Sequence, residues 1–341
     1  MKKQALRLLA VFMAVVMVVA LTACGQAKAP AAGEETKKTE ETPKEQPKAE
    51  KKITIAVVPK ALDNPVFIGT KDGAEAAGKE LGIEVLWMGP TKTDAAEQVQ
   101  VMEGLIQKKV DAILVSCIDP DALKDVINKA TDAGIVVGTF DSDSPDSKRV
   151  FYAGTENYKL GKQCGEVMKK LIEGKGKVKL AMLTGVLGSY NLEQRIKGFK
   201  DGAQGADIEY LSIQACDDDI NKAVTVMEQY TKANPDMGAW FVVGGWPFIA
   251  PPESLPVLKE FTAKGNIVVT VDSFYPMLQF VKQGIVNVEI GQNFAGMGDL
   301  GIKTLYKAIK GEKVEQFIDT GTVYVDKSNI DEVIKNTKPW N

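Results

Sequence analysis

From residue 53 onward, short runs of β-branched and other apolar residues alternate with stretches of helical period, and the alternation runs through twice. The first pass predicts a strand over 53–58, a helix over 65–81 stopped by Gly82, and a strand over 85–87. A helix over 94–108 follows, with Val99, Met102, Leu105 and Ile106 on one face, then a strand over 112–115, a helix over 121–133 and a strand over 135–140. The second pass predicts strands over 178–183, 208–213, 239–243 and 267–271, separated by helices over 192–203, 221–232 and 255–263. Strands in such an alternation bury themselves as a parallel sheet wrapped by helices. Two passes of similar length predict two α/β lobes, each a doubly wound parallel sheet. One wide sheet is the alternative.

In open parallel sheets a ligand lies beyond the carboxyl ends of the strands, so the informative residues are those just after each apolar run. Lys60 and Asn64 follow the first strand, and Asp141, Ser142 and Asp143 follow the run that ends at Phe140. In the second pass these are Ser189, Tyr190 and Asn191, then Asp217, Asp218 and Asp219, then Gly244, Gly245 and Trp246, and then Asp272 and Ser273. Gln292 and Asn293 follow a run over 286–290. Two lobes facing each other would bring these rows together across a cleft.

Carboxylates and amides match the paired donors and acceptors of a sugar hydroxyl, and flat aromatic rings match its C–H faces. Asp141, Asp272, Asn64, Asn191 and Gln292 supply polar groups, and Phe67 and Trp246 supply flat surfaces; Lys60 and Asp218 complete the candidate set. Each has a structural role to set against this. Asp141, Asp272 and Asn64 are good caps, Phe67 and Trp246 could be core, Lys60 a solvated charge, Asp218 part of a solvated acidic turn, and Gln292 a structural strand-end amide.

The ends and the composition narrow the function. Lys2, Lys3 and Arg7 precede an apolar run over 8–21 that is short for a bilayer span, which needs about 20 residues. The run ends in Leu21-Thr22-Ala23-Cys24-Gly25, which looks like a bacterial lipobox, cleaved before Cys24 with lipid attached to its thiol. Residues 25–52 carry Lys, Glu, Pro, Ala, Thr and Gln with no aromatic and no Ile, Leu or Val, so they are expected to be a solvated tether with a mean reach on the order of 30 Å. The net charge of −3 gives no basic excess for nucleic acid. The chain has no histidine, which removes the commonest general base and metal ligand. The three cysteines after Cys24 (Cys117, Cys164 and Cys216) are widely spaced and read as buried apolar residues rather than a disulfide framework. Residues 73–79 have P-loop spacing, but Glu80 stands where Ser or Thr is needed and the stretch is helical. The stretch 141–146 lacks the Gly and final Glu of a calcium loop. No cofactor, no metal site and no catalytic residue are expected.

Several segments carry a family resemblance: Asn64-Pro65-Val66-Phe67, Asp141 after Thr139-Phe140, Arg195 with Gly198-Phe199, Val271-Asp272 and Gly291-Gln292. Together they resemble periplasmic sugar-binding proteins of the ribose-binding type, the receptors of ABC importers, over nearly the whole folded chain. The resemblance implies a Venus-flytrap (type I periplasmic binding protein) fold with a three-stranded hinge crossing near Thr155, Gln292 and Thr320. It implies a signal peptide over 1–23, a lipidated Cys24 and tether over 24–52, an N-terminal lobe over 53–155 plus 293–319, and a C-terminal lobe over 156–292 plus 320–341. Asn64, Phe67, Asp141, Asp272 and Gln292 would contact sugar, and Arg195 would be a structural residue of its helix. Ser142 stands where ribose binders carry an arginine, and Asp218 where they carry an aromatic, which points away from ribose itself. Val58-Pro59-Lys60, Met88-Gly89-Pro90-Thr91 and Asp141-Ser142-Asp143 are similar to a sister branch that binds autoinducer-2 or rhamnose, in which the residue matching Lys60 touches ligand. The implied function is a non-catalytic, monomeric solute-binding lipoprotein on the outer face of the bacterial cell membrane or in the periplasm. It captures a sugar or sugar alcohol by hinge closure and delivers it to a membrane permease. Binding of autoinducer-2 or another signal, or service as a chemoreceptor-coupled sensor, is the alternative; an enzyme with a carboxylate pair is a further one.

Overall fold

The computed structural model describes residues 52–337 and Pro339; the expected signal peptide, Cys24 and the tether up to residue 51 lie outside the described residues. The first sheet contains β1 (Thr54–Val58), β2 (Glu84–Trp87), β3 (Ala112–Val115), β4 (Val136–Phe140), β5 (Phe151–Gly154) and β11 (Phe317–Asp319). The second contains β6 (Val178–Thr184), β7 (Ile208–Ala215), β8 (Ala239–Val242), β9 (Ile267–Val271), β10 (Val288–Gln292) and β12 (Thr322–Asp326). Their strand orders are β11-β5-β4-β3-β1-β2 and β12-β10-β9-β8-β6-β7. Every pairing is parallel except that of β10 with β12. The chain thus folds as the two α/β lobes that the doubled strand–helix rhythm implies.

The first sheet is apolar on both faces, which is why its strands read as unbroken runs rather than alternations. Ile55, Val57 and Leu114 pack under α1 (Ile68–Leu81) and α9 (Phe294–Ile309). Ala56, Val58, Ile113 and Val115 pack under α2 (Ala95–Lys108) and α3 (Pro120–Asp132). The second sheet is covered by α4 (Asn157–Leu171) and α5 (Tyr190–Gly202) on one side. The remaining helices of that lobe are α6 (Ile220–Ala233), α7 (Pro256–Ala263), α8 (Leu278–Lys282) and α10 (Ile330–Asn336). Side-chain caps set several helix starts: Asp94 accepts from the Glu97 amide at 2.8 Å, Asp119 from Ala122 at 2.8 Å, and Asp219 from Lys222 at 2.7 Å. Cys117, Cys164 and Cys216 are free and fully buried, and burial pushes the Cys164 thiol up to about 12, so they serve as small apolar residues.

The chain passes between the sheets three times: from β5 to α4 at residues 155–156, from β10 to α9 at Asn293, and from β11 to β12 at residues 320–321. Helices α4 and α5 approach backbone to backbone. A Cβ on Gly161 would lie 2.1 Å from the Arg195 carbonyl oxygen, and one on Gly198 would lie 2.0 Å from that of Tyr158. This close approach fixes α5, and Arg195 with it, against the start of α4.

Some elements lacked a readable pattern. β11 and β12 are edge strands with Phe317, Val323 and Tyr324 exposed, so neither shows an inward apolar alternation. The strand expected over 286–290 begins at Val288, because the Val286 amide donates to the Phe280 carbonyl in the preceding turn. Gln292 is therefore the last residue of a strand rather than the first beyond it. The helix expected over 65–81 splits into a 3-10 turn, Pro65–Phe67, and α1.

Glu289 of β10 is fully buried between Thr270 of β9 and Val325 of β12, and neither of its carboxyl oxygens has a hydrogen-bond partner. Burial, and then the negative charge of Asp272, hold its carboxyl well above the usual range. The folded state thus binds a proton that the unfolded chain releases near pH 4.5. Stability from this group is complete below that pH and is lost as pH rises toward the folded value. Asp218 and Asp272 shift in the same direction, so the difference between parent and Glu289→Gln isolates Glu289. In chemical denaturation at pH 5 and pH 8, the variant should lose less stability across that interval than the parent, by about 1 kcal/mol or more, since each pKa unit is worth about 1.4 kcal/mol. Equal losses would mean that Glu289 is ionised and solvated in the fold.

Candidate functional site

The candidate site forms where the carboxyl ends of the two sheets face each other. Lys60, Asn64, Phe67, Asp141, Asn191, Asp218, Trp246, Asp272 and Gln292 all line one cavity of about 30 Å3. Val66, Leu192, Arg195 and Phe294 complete the wall. Larger open grooves of about 740 and 770 Å3 lie between the ends of α4 and α5 and beside the hinge. The first holds none of the candidate residues and the second only Gln292, so we place the site at the small cavity.

Asp141 follows β4 and Asp272 follows β9, and both are held at positive φ, 55° and 76°. A non-glycine residue there is strained, and the strain persists only where surroundings demand it. Neither carboxylate caps a helix. Asp141 accepts from the Ser116 hydroxyl (2.7 Å) and, across the cleft, from Asn191 Nδ2 (3.3 Å). Asp272 accepts from the Gly245 amide (3.0 Å) and from Gln292 Nε2 (2.7 Å), and burial raises its pKa. Lys60 is buried, not solvated, and its Nζ donates to Asn191 Oδ1 at 3.1 Å. The Ser189 hydroxyl adds a third bond between lobes, to the Ile118 carbonyl at 2.8 Å. The lobes are therefore closed on each other through side chains of the candidate set.

Several candidates do structural work as well. Asn64 Oδ1 accepts from the Val66 amide at 3.2 Å, which leaves its amide nitrogen as the end that can donate. Phe67 is core, edge-on to Phe140 and Phe294 with centroids 6.0 Å away in each case, while one margin of the ring faces the cavity. Trp246 lies over Gly185 and Gly244, where a Cβ would come within 2.7 and 2.8 Å of its ring.

The pattern reading missed the group that joins the two halves of the site. Arg195, which the resemblance assigned to its helix alone, is buried in the cavity wall. Its Nε donates to Asn157 Oδ1 (2.8 Å), Nη1 to the Val243 carbonyl (3.1 Å) and Nη2 to Gln292 Oε1 (2.9 Å). Asn157 in turn donates to the Tyr152 hydroxyl, which donates to the Asp141 carbonyl at 2.9 Å. Tyr152 stays a neutral donor because burial, and then Asp141, push its pKa well up. The chain Tyr152–Asn157–Arg195–Gln292 therefore runs unbroken from the backbone carbonyl of Asp141 to the carboxylate of Asp272. Tyr152 lies in β5 and Asn157 starts α4, so the first crossing connects to Gln292 beside the second.

This arrangement matches a known family. A model of the periplasmic binding protein domain matches residues 55–313. The chain belongs to the periplasmic binding protein family. Members of that family are binding proteins rather than enzymes. Among curated relatives of this periplasmic binding protein, the D-ribose/D-allose-binding protein of Pseudomonas aeruginosa PAO1 is 30% identical, over 77% of this chain and 84% of that one. The ribose import binding protein of Escherichia coli K12 is 28% identical, over 77% of this chain and 87% of that one. A solved ABC transporter solute-binding protein from Burkholderia graminis C4D1M, in complex with D-arabinose, superposes with a TM-score of 0.77. It is 34% identical and covers 84% of this chain and 98% of its own.

Replacing Arg195 by Met would strand two buried acceptors and a half-buried one at once. Each unsatisfied group costs about 1–3 kcal/mol, so Arg195→Met should lower the unfolding free energy by about 3 kcal/mol or more in urea denaturation. A loss below about 1 kcal/mol would show that the relay does not brace the fold.

Proposed function

We propose that this periplasmic binding protein captures a sugar or sugar alcohol between its lobes and delivers it to an ABC permease in the membrane. The observation that supports this most is that Asp141 from one lobe and Asp272 from the other line the same cavity, together with three amides and the Trp246 ring. Such a set offers acceptors to hydroxyls from both sides and a flat face to C–H bonds. The names of the relatives, binders of ribose, allose and arabinose, point the same way, and they give no support to signal binding.

A cavity of about 30 Å3 has room for a water molecule and is several times too small for a pentose. Uptake therefore requires the lobes to part, with hinge rotation at residues 155–156, Asn293 and residues 320–321. The Lys60–Asn191 and Asn191–Asp141 bonds break, and ligand hydroxyls take their places on reclosing. Hydrogen bonds to charged groups contribute about 1.5–3 kcal/mol each, so a few of them reach the roughly 8 kcal/mol of a micromolar complex. On this reading the precursor is cleaved before Cys24, the lipid on Cys24 anchors the protein outside the cell membrane, and residues 25–52 tether it. It acts as a monomer, without cofactor.

Calorimetric titration of the mature protein with pentoses, hexoses and polyols should reveal a ligand of micromolar affinity or better; silence across the panel would remove the sugar reading. Asp141→Asn and Asp272→Asn keep side-chain shape and tolerate positive φ, and each should weaken that ligand more than tenfold. If both bind like the parent, the site lies elsewhere. Cys24→Ser should abolish incorporation of labelled palmitate and release the protein from the membrane fraction; retained label would refute the anchor.

A further inference from the structure

The turn at residues 217–219 holds three acids, and the fold employs two of them. Asp217 pairs with Lys222 at the surface, and Asp219 caps α6. Asp218 turns the other way, into the wall of the cavity. Its backbone sits at φ 59°, next to Asp217 at 54°, so two successive residues are held in the left-handed region. Its Oδ1 is buried and has no hydrogen-bond partner, the carboxyl group having only the Val186 backbone amide as a neighbouring donor. Gly185 makes room for it: a Cβ there would lie 1.9 Å from Asp218 Oδ1 and 2.7 Å from the Trp246 ring. A buried acceptor left without a donor is costly, and the left-handed backbone adds strain, with no structural bond to that oxygen in return.

The charges facing the cavity are unequal. Three carboxylates (Asp141, Asp218 and Asp272) stand against two cations, Lys60 and Arg195. Arg195 directs its guanidinium to Asn157, Val243 and Gln292. Lys60 is left as the cation able to turn to a ligand, and Asp218 lies within its field. A ligand hydroxyl can donate to Asp218 Oδ1. A ligand carboxylate cannot, and would meet like charge in a partly desolvated site. Like charges held close together in such a site repel strongly. Selection by such repulsion is a common route to specificity.

We propose that Asp218 is the group that sets ligand class in this cleft: it accepts a hydrogen bond from a hydroxyl of a neutral polyhydroxy ligand and repels the acid counterpart of the same skeleton. This rests on the sugar-binding reading above. The test takes the tightest neutral aldose of the panel and the aldonate and uronate of the same carbon skeleton. Each is titrated at pH 7.5 into the mature parent and into Asp218→Asn, with circular dichroism confirming the fold of both. The parent should favour the aldose over either acid by at least about 100-fold, and the variant should narrow that ratio at least tenfold. The parent ratio is read without any variant, so it can overturn the proposal even if Asp218→Asn does not fold, in which case Asp218→Ser supplies the second ratio. Acids binding the parent as tightly as the aldose, or a folded variant with an unchanged ratio, would overturn the proposal while leaving sugar binding in place. Silence of neutral and acidic ligands alike would remove the sugar reading and this proposal with it.

Discussion

The carboxylate of Asp141 is where the two lobes meet in one side chain. One oxygen is held by Ser116 of its own lobe and the other by Asn191 of the opposite lobe, which Lys60 holds in turn. A buried carboxylate without donors is costly, and both oxygens of Asp141 have donors in the closed cleft. In the closed form described here the protein supplies them itself. On the proposed function a hydroxylated ligand would supply the same bonds in place of Asn191, so that opening and reclosing exchange one set of partners for another.

The opposite carboxylate, Asp272, is tied to Asp141 through the hinge. Tyr152, Asn157, Arg195 and Gln292 connect them by hydrogen bonds that pass through the first crossing and reach the second. Close glycine-mediated packing of α4 on α5 keeps Arg195 in register with Asn157. The relay members lie at or beside two of the three crossings, so they brace the hinge segments against each other. The same economy of placement appears at residues 217–219, where one exposed ion pair and one helix cap flank the single acid that faces the cavity.

Much of this was legible in the sequence because parallel sheets impose a simple rule. Strands buried on both faces read as short continuous apolar runs, and the residue after each run falls at the edge where a ligand can reach. That rule alone collects Asp141, Asp272, Trp246 and Lys60. It fails where the structural determinant is not apolar. Edge strands β11 and β12 have exposed faces and leave no periodic trace. Arg195 lies mid-helix, and Tyr152 within a short strand among loops; their role depends on hydrogen bonds between segments about 40 to 100 residues apart, which no local pattern records. Asn64 and Phe67 each combine a structural duty with a place in the cavity wall, and no local pattern shows both roles at once.

The central claim is that a ligand is gripped from both lobes by exchange of the protein's own cleft bonds. A crystal structure of the protein with the tightest ligand found by titration tests it most directly. The ligand should lie between Asp141 and Asp272 with hydroxyls on both carboxylates, and Asn191 should have left Asp141. Density for the ligand outside this cleft, or within it while Asn191 keeps its bonds to both Asp141 and Lys60, would contradict the account.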